Sequence, residues 1–123
     1  MTETQGPHSF GRVDDDGTVY VRTDDGERSV GQVPDATAEE ALAFFVRRYE
    51  SLEVEVGLLE TRLKAGNVSP EETRKAVKQL RDSVSQANAV GDLPALLKRL
   101  DALSPVIDEK AEERRAQGAA QNQ

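Results

Sequence analysis

The sequence predicts a mostly α-helical fold with a small β part: a three-stranded antiparallel meander followed by a long antiparallel helical hairpin or three-helix bundle. Three observations predict it. Two aspartate-glycine runs, "DDDG" and "DDG", separate short segments in which apolar and polar residues alternate. From Leu42 to Leu63 apolar residues recur at steps of three and four. Capping and breaking residues then divide the rest of the chain into further helical stretches.

Residues 1–8 are polar and read as a disordered tail, with the meander over 9–34. Val19 and Val21 alternate with Thr18, Tyr20 and Arg22, the period of a strand with one face buried. Asp-Gly is a strong hairpin signal, because glycine takes positive φ at little cost and aspartate bonds nearby backbone N–H groups. Strands are therefore expected at Phe10–Val13, Thr18–Thr23 and Glu27–Val33. A sheet of three short strands needs a helix to cover its apolar face.

Helical patterning occupies 35–107. Thr37 and Glu40 fit a capping box, in which the threonine hydroxyl and the glutamate carboxylate each satisfy a backbone N–H at the helix start. The apolar series Leu42, Phe45, Tyr49, Leu52, Val56, Leu59 and Leu63 makes a heptad seam, and Gly66 supplies a left-handed stop. An intramolecular bundle core is the favoured use of this seam; a homodimer through the same seam is the alternative, since both need the same pattern. Phe44 and Leu58 flank the seam and widen it, whereas Val54 and Val46 fall where a partner-facing edge is expected. Gly57 costs about 1 kcal/mol relative to alanine inside a helix, which suggests close packing or a bend there.

Ser69, Pro70 and Glu72 restart a helix whose seam is Thr73, Val77, Leu80, Val84 and Ala87, with Ala76 beside it. Gly91 reads as its stop and Asp92 as the cap of a third helix carrying Leu93, Leu96, Leu97, Leu100 and Leu103. Pro105 kinks or restarts that helix before Val106 and Ile107. Residues 108–123 are charged, lack an apolar stripe, and are expected to fray or be disordered. Links this short set consecutive helices antiparallel.

Composition excludes several chemistries. There is no cysteine, so disulfides and thiolate catalysis are out. The longest apolar run, "ALAFFV", is far below the roughly 18 residues that cross a bilayer, so no membrane association is expected. The start lacks a basic region followed by an apolar one, so no secretory signal is expected and the location reads as cytoplasmic. A net charge of −7 opposes attraction to phosphate backbones, which argues against direct nucleic-acid contact.

The five aspartates between Val13 and Glu27 raise the question of a metal. An EF-hand loop needs oxygen ligands at its first, third and fifth positions, glycine at the sixth and glutamate at the twelfth. Placing Gly17 sixth puts Arg12 first and Thr23 twelfth; placing Gly26 there puts Val21 and Gln32 at those anchors. Neither frame supplies the ligands, so the acids are read as turn formers, with no metal or cofactor expected. His8 and Ser9 are adjacent but have no glycine elbow and no third group to orient a base, so no catalytic residue is assigned.

Three stretches together, "FGRVDDDGTVYVRTDDGERSVGQ", "EEALAFFVRRYESLEVEVGLLETRLKAG" and "AVGDLPALLKRLDAL", resemble the amino-terminal region of actinobacterial proteins that carry domain of unknown function 349. The resemblance covers roughly Phe10 to Leu103. In those proteins further charged helical repeats follow, which these 123 residues do not contain. The resemblance implies a bacterial source, a cytoplasmic location and a helical, non-enzymatic role. The reading that joins these observations is a protein-binding or scaffolding module. Its expected interface draws on Phe44, Val46, Val54, Leu58, Arg47 and Arg48. The alternative is an accessory factor of the translation or transcription machinery, with Arg47, Arg48 and Arg62 touching nucleic acid.

Overall fold

Aspartate and glycine turn the chain at both places the sequence marks. The protein is described by a computed structural model covering residues 6–66 and 68–121. Of the amino-terminal tail, residues 1–5 lie outside the described residues, and Pro7–Phe10 form one 3-10 turn. The meander follows as β1 (Gly11–Val13), β2 (Val19–Thr23) and β3 (Gly26–Gly31), paired antiparallel in that order. In the first turn Gly17, at φ +87°, donates its N–H to the Asp14 carbonyl at 2.9 Å. Thr18 N–H donates to the Asp16 carboxylate at 3.0 Å, which holds that carboxyl below its usual range. In the second turn Thr23 pairs with Gly26, and its hydroxyl donates to the Gly26 carbonyl at 2.9 Å.

The register places one residue more in β3 than in β2. Tyr20 faces Ser29 while Val19 faces Gly31, so Val30 is a bulge. That bulge lets Val30 join Val19 and Val21 in the core. On the opposite face Arg12 reaches across the sheet: its Nε lies 2.9 Å from both Glu27 carboxylate oxygens, and its guanidinium sits 4.5 Å above the Tyr20 ring.

Four helices follow: α1 (Ala38–Ala65), α2 (Pro70–Ser85), α3 (Leu93–Asp101) and α4 (Leu103–Gln121). The capping box of α1 is formed on both sides, Glu40 N–H to Thr37 Oγ1 at 3.1 Å and Thr37 N–H to Glu40 Oε1 at 2.9 Å. Gly66 ends α1 at φ 82°. Ser69 accepts the Glu72 N–H at 3.5 Å to start α2, without the return bond expected of Glu72. Asp92 accepts the Ala95 N–H at 3.1 Å to start α3.

The helices run up, down and up. Arg81 on α2 pairs with Asp101, two turns earlier Arg74 pairs with Asp108, and Arg114 donates to the Val68 carbonyl. These ties set α2 antiparallel to the arm made by α3 and α4. Along α1 the neighbours rise in the same sense as that arm. Phe45 meets Val90, and Glu60 takes a two-pronged bond from Arg99 at 2.6 and 3.1 Å, which holds the Glu60 carboxyl below its usual range. The third arm breaks at Ala102 because Pro105 has no N–H to offer the Asp101 carbonyl and its ring crowds that group.

Two expectations about helix ends need correction. α2 stops at Ser85, with Gln86 as its cap, so Ala87 lies beyond the helix and Gly91 is not its stop. The segment from Gln86 to Asp92 instead folds inward, with Ala89 and Val90 fully buried. Val90 N–H donates to the Phe45 carbonyl at 3.0 Å, and Arg28 Nη2 donates to the Ala87 carbonyl at 2.7 Å. Helix also continues through the stretch expected to fray, as far as Gln121. Ala, Glu, Arg and Gln in "EKAEERRAQ" are strong helix formers, and the ties to Arg74 and Val68 are polar, so no apolar stripe was there to read.

The heptad seam of α1 is spent inside the chain. Phe45, Tyr49, Val56 and Leu63 are buried with Val77 and Val84 of α2, Leu93, Leu96 and Leu100 of α3, and Leu103 and Ile107 of α4. Leu42, Leu52 and Leu59 of the same seam are partly buried against this core, so the intramolecular use of the seam is the one the fold displays. Gly57 also differs from expectation. A Cβ there would meet only Arg99 Nη2, at 4.0 Å. Gly57→Ala should thus raise stability by about 0.5–1 kcal/mol, read as a higher urea midpoint with unchanged slope.

Candidate protein-docking face

A helix of 28 residues that buries one side must present another. On α1 the buried side is wide, because two layers cover it. α2 and α3 pack along α1 on the side of Val56 and Leu63, while the Phe45 ring lies against β3, where a Cβ at Gly31 would come within 3.3 Å of it. β1 and the amino-terminal turn cover the adjoining side at the helix start, where a Cβ at Gly11 would lie 2.7 Å from Leu42. Val46 sits one turn beyond Leu42 on that covered side and is 3% exposed. Its assignment to a partner-facing edge is corrected: the sheet side of α1 was not visible from the helix period alone.

Phe44, Val54 and Leu58 remain outside, at 39%, 61% and 56% exposure. Among the described residues only one other large apolar side chain is comparably exposed, Val106, so three of four lie on one helix. Arg47 and Arg48 are exposed beside them. Arg48 stacks its guanidinium 4.8 Å from the Phe44 ring and 5.8 Å from the Phe45 ring, and the two rings meet edge to face at 5.1 Å. The Phe44 ring is thus packed between the Phe45 ring and the Arg48 guanidinium.

The face has its own period. Phe44, Arg47, Ser51, Val54 and Leu58 step by three and four, each of Phe44, Ser51 and Leu58 standing one residue before a member of the inner seam. Reading Phe44 and Leu58 as flanks of the inner seam missed this second heptad, and missed Ser51 and Glu55 on it. The signal was present as an offset copy of the first. Below Leu58 the face opens into a groove between α1 and α2, lined by Glu55, Leu59 and Arg62 on one side and Ala76, Leu80 and Ser83 on the other.

The arginines do not gather into one basic patch. Arg47 and Arg62 stand four turns apart, about 22 Å along the axis, with the exposed Glu55 between them. Two of the meander's aspartates are occupied locally, Asp14 by Arg12 and Asp16 by Thr18. Ser9 donates its hydroxyl to the Gly6 carbonyl at 2.7 Å, and His8 is exposed. Among the described residues no group of three or more histidines and carboxylates is placed to hold a metal ion, and no buried side-chain polar atom lacks a partner. Nor is any of their helices long and apolar enough to cross a membrane.

No protein-family model matches this chain, and neither does any curated protein or solved structure.

Proposed function

We propose that this protein is a non-enzymatic binding module that presents the outer face of α1 to a protein partner. One observation carries the reading: three exposed apolar side chains lie on a single stripe of a helix whose opposite side anchors the core. Phe44, Val54 and Leu58 act as anchors, with Arg47, Arg48 and Glu55 as a polar rim. The acidic, cysteine-free composition supports a cytoplasmic setting, and the meander motif supports kinship with the proteins that carry domain of unknown function 349.

Val54→Asp and Leu58→Asp test the reading, because both positions are solvent-facing and the substitutions leave the core untouched. Each should weaken binding of a partner captured from cell lysate about thirtyfold, the loss of about 2 kcal/mol typical of an interface anchor, while circular dichroism and thermal midpoint stay as in the parent. Capture that survives nuclease and added salt supports a protein partner. Capture that falls steeply with salt, and is lost with Arg47→Glu rather than Leu58→Asp, would favour the nucleic-acid alternative instead.

A further inference from the structure

We infer that the outer face of α1 takes a second copy of this chain, packed antiparallel about a two-fold axis through Ser51. The inference rests on the reading of that face as a protein-docking surface and names its occupant. Its ground is charge complementarity in a single register.

In an antiparallel pair centred on Ser51, residues equally far before and after it face each other. Phe44 of each copy then meets Leu58 of the partner subunit, so the two largest anchors on the stripe cover one another. Arg47 meets Glu55 of the partner subunit, and Glu40 meets Arg62 of the partner subunit. Arg48, whose head already stacks on Phe44, lays its stem over Val54 of the partner subunit. Ser51, small and exposed, faces itself on the axis, where a short side chain lets the helices approach.

Other arrangements lose this match. Sliding one helix by a heptad sets Arg47 against either Arg48 or Arg62. A parallel pair sets Arg47 on Arg47 and Glu55 on Glu55. Like charges facing across a helical seam oppose association, and charges at flanking positions set register and orientation. Among the described residues Arg47, Arg62 and Glu55 make no ion pair within their own chain, so all three are available to a neighbour. Glu40 gives Oε1 to the capping box and keeps Oε2 for the pair. A contact of about three heptads is smaller than the roughly 800 Å² per partner of a standard interface. The expected species is a reversible dimer with a dissociation constant in the micromolar range.

Sedimentation equilibrium on the full 123-residue chain, from about 1 to 500 micromolar, reads the mass directly. Arg47→Glu alone, or Glu55→Arg alone, should weaken the dimer at least tenfold. The doubly exchanged chain, Arg47→Glu with Glu55→Arg, should recover it. Because the chain has no cysteine, Ser51→Cys is a clean reporter of the axis: mild oxidation should give a covalent dimer, and Lys75→Cys on the exposed side of α2 should not. A chain monomeric throughout that range overturns the proposal, as does a double exchange that fails to recover, or cross-linking no greater at Ser51→Cys than at Lys75→Cys. If the chain is monomeric while partner capture still depends on Leu58, the occupant is a different protein: the dimer falls and the docking face stands. If capture is also indifferent to Leu58→Asp, both fall.

Discussion

Gly91→Ala is expected to destabilise the fold by about 3 kcal/mol, at the upper end of what one added methyl costs in a packed interior. A Cβ at this position would lie 2.1, 2.2 and 2.5 Å from Cγ, Cδ1 and Cδ2 of Tyr49. These are atoms at the base of the ring, next to the α1 backbone, rather than the far end of a flexible side chain, so they can yield only if the whole buried ring moves. The loop cannot retreat either. Val90 N–H is bonded to the Phe45 carbonyl on one side of Gly91, and Asp92 caps α3 on the other. Gly91 is not among the described glycines with positive φ, so the constraint is contact with the ring and not backbone conformation. A double-mutant cycle separates the two causes. Tyr49→Ala alone should cost about 3–5 kcal/mol, and Gly91→Ala introduced on top of it should cost little, giving a coupling of about 2–3 kcal/mol. Equal cost of Gly91→Ala in both backgrounds, read by urea unfolding, would refute the contact.

Leu100→Ala should cost about 3–4 kcal/mol through lost burial and the cavity left behind. Leu100 is 0% exposed and belongs to the continuous core on which all three helical arms converge. For a chain of this size that corresponds to a fall in Tm on the order of 15 °C. Leu97→Ala, three residues earlier and only partly buried, should cost less than half as much. Calorimetry on the two variants gives the comparison. Equal losses would mean that α3 is not seated on its Leu93–Leu96–Leu100 side.

The two predictions also show which parts of the fold were legible. Both ends of α1 could be read to the residue, because Thr37, Glu40 and Gly66 each satisfy an identifiable backbone group there. The meander was legible for the same reason, its turns being set by Gly17 and Gly26 at positive φ. The end of α2 was not, since Gln86 closes it without any residue specialised for the task, while the glycine that looked like a stop serves a ring six residues after the helix ends. The helical tail was hidden because it is held by Arg74, Arg114 and intrinsic propensity, none of which leaves an apolar period. At the candidate face the exposure of Val54 was legible from the helix period, whereas Phe44 and Leu58 read as flanks that widen the inner seam. Val46 was misplaced because α1 has a second covered side, where β1 from more than 30 residues earlier packs on it, and no property of α1 announces it.

The inward loop between α2 and α3 has a consequence for how the chain acquires its structure. Gly11 rests near Val90, and Arg28 reaches the Ala87 carbonyl, so the amino-terminal strands are seated on residues about 60 to 80 positions later. Contacts of such long sequence separation raise contact order and slow the rate-limiting step. A chain emerging from the ribosome through the end of α1 holds every strand and the helix they pack on, but still lacks the loop that Gly11 and Arg28 reach. Ordering of the strands should therefore wait until residue 92 is clear of the exit tunnel and then proceed in one cooperative event, and proteolytic cleavage within the loop should release strands and helices together.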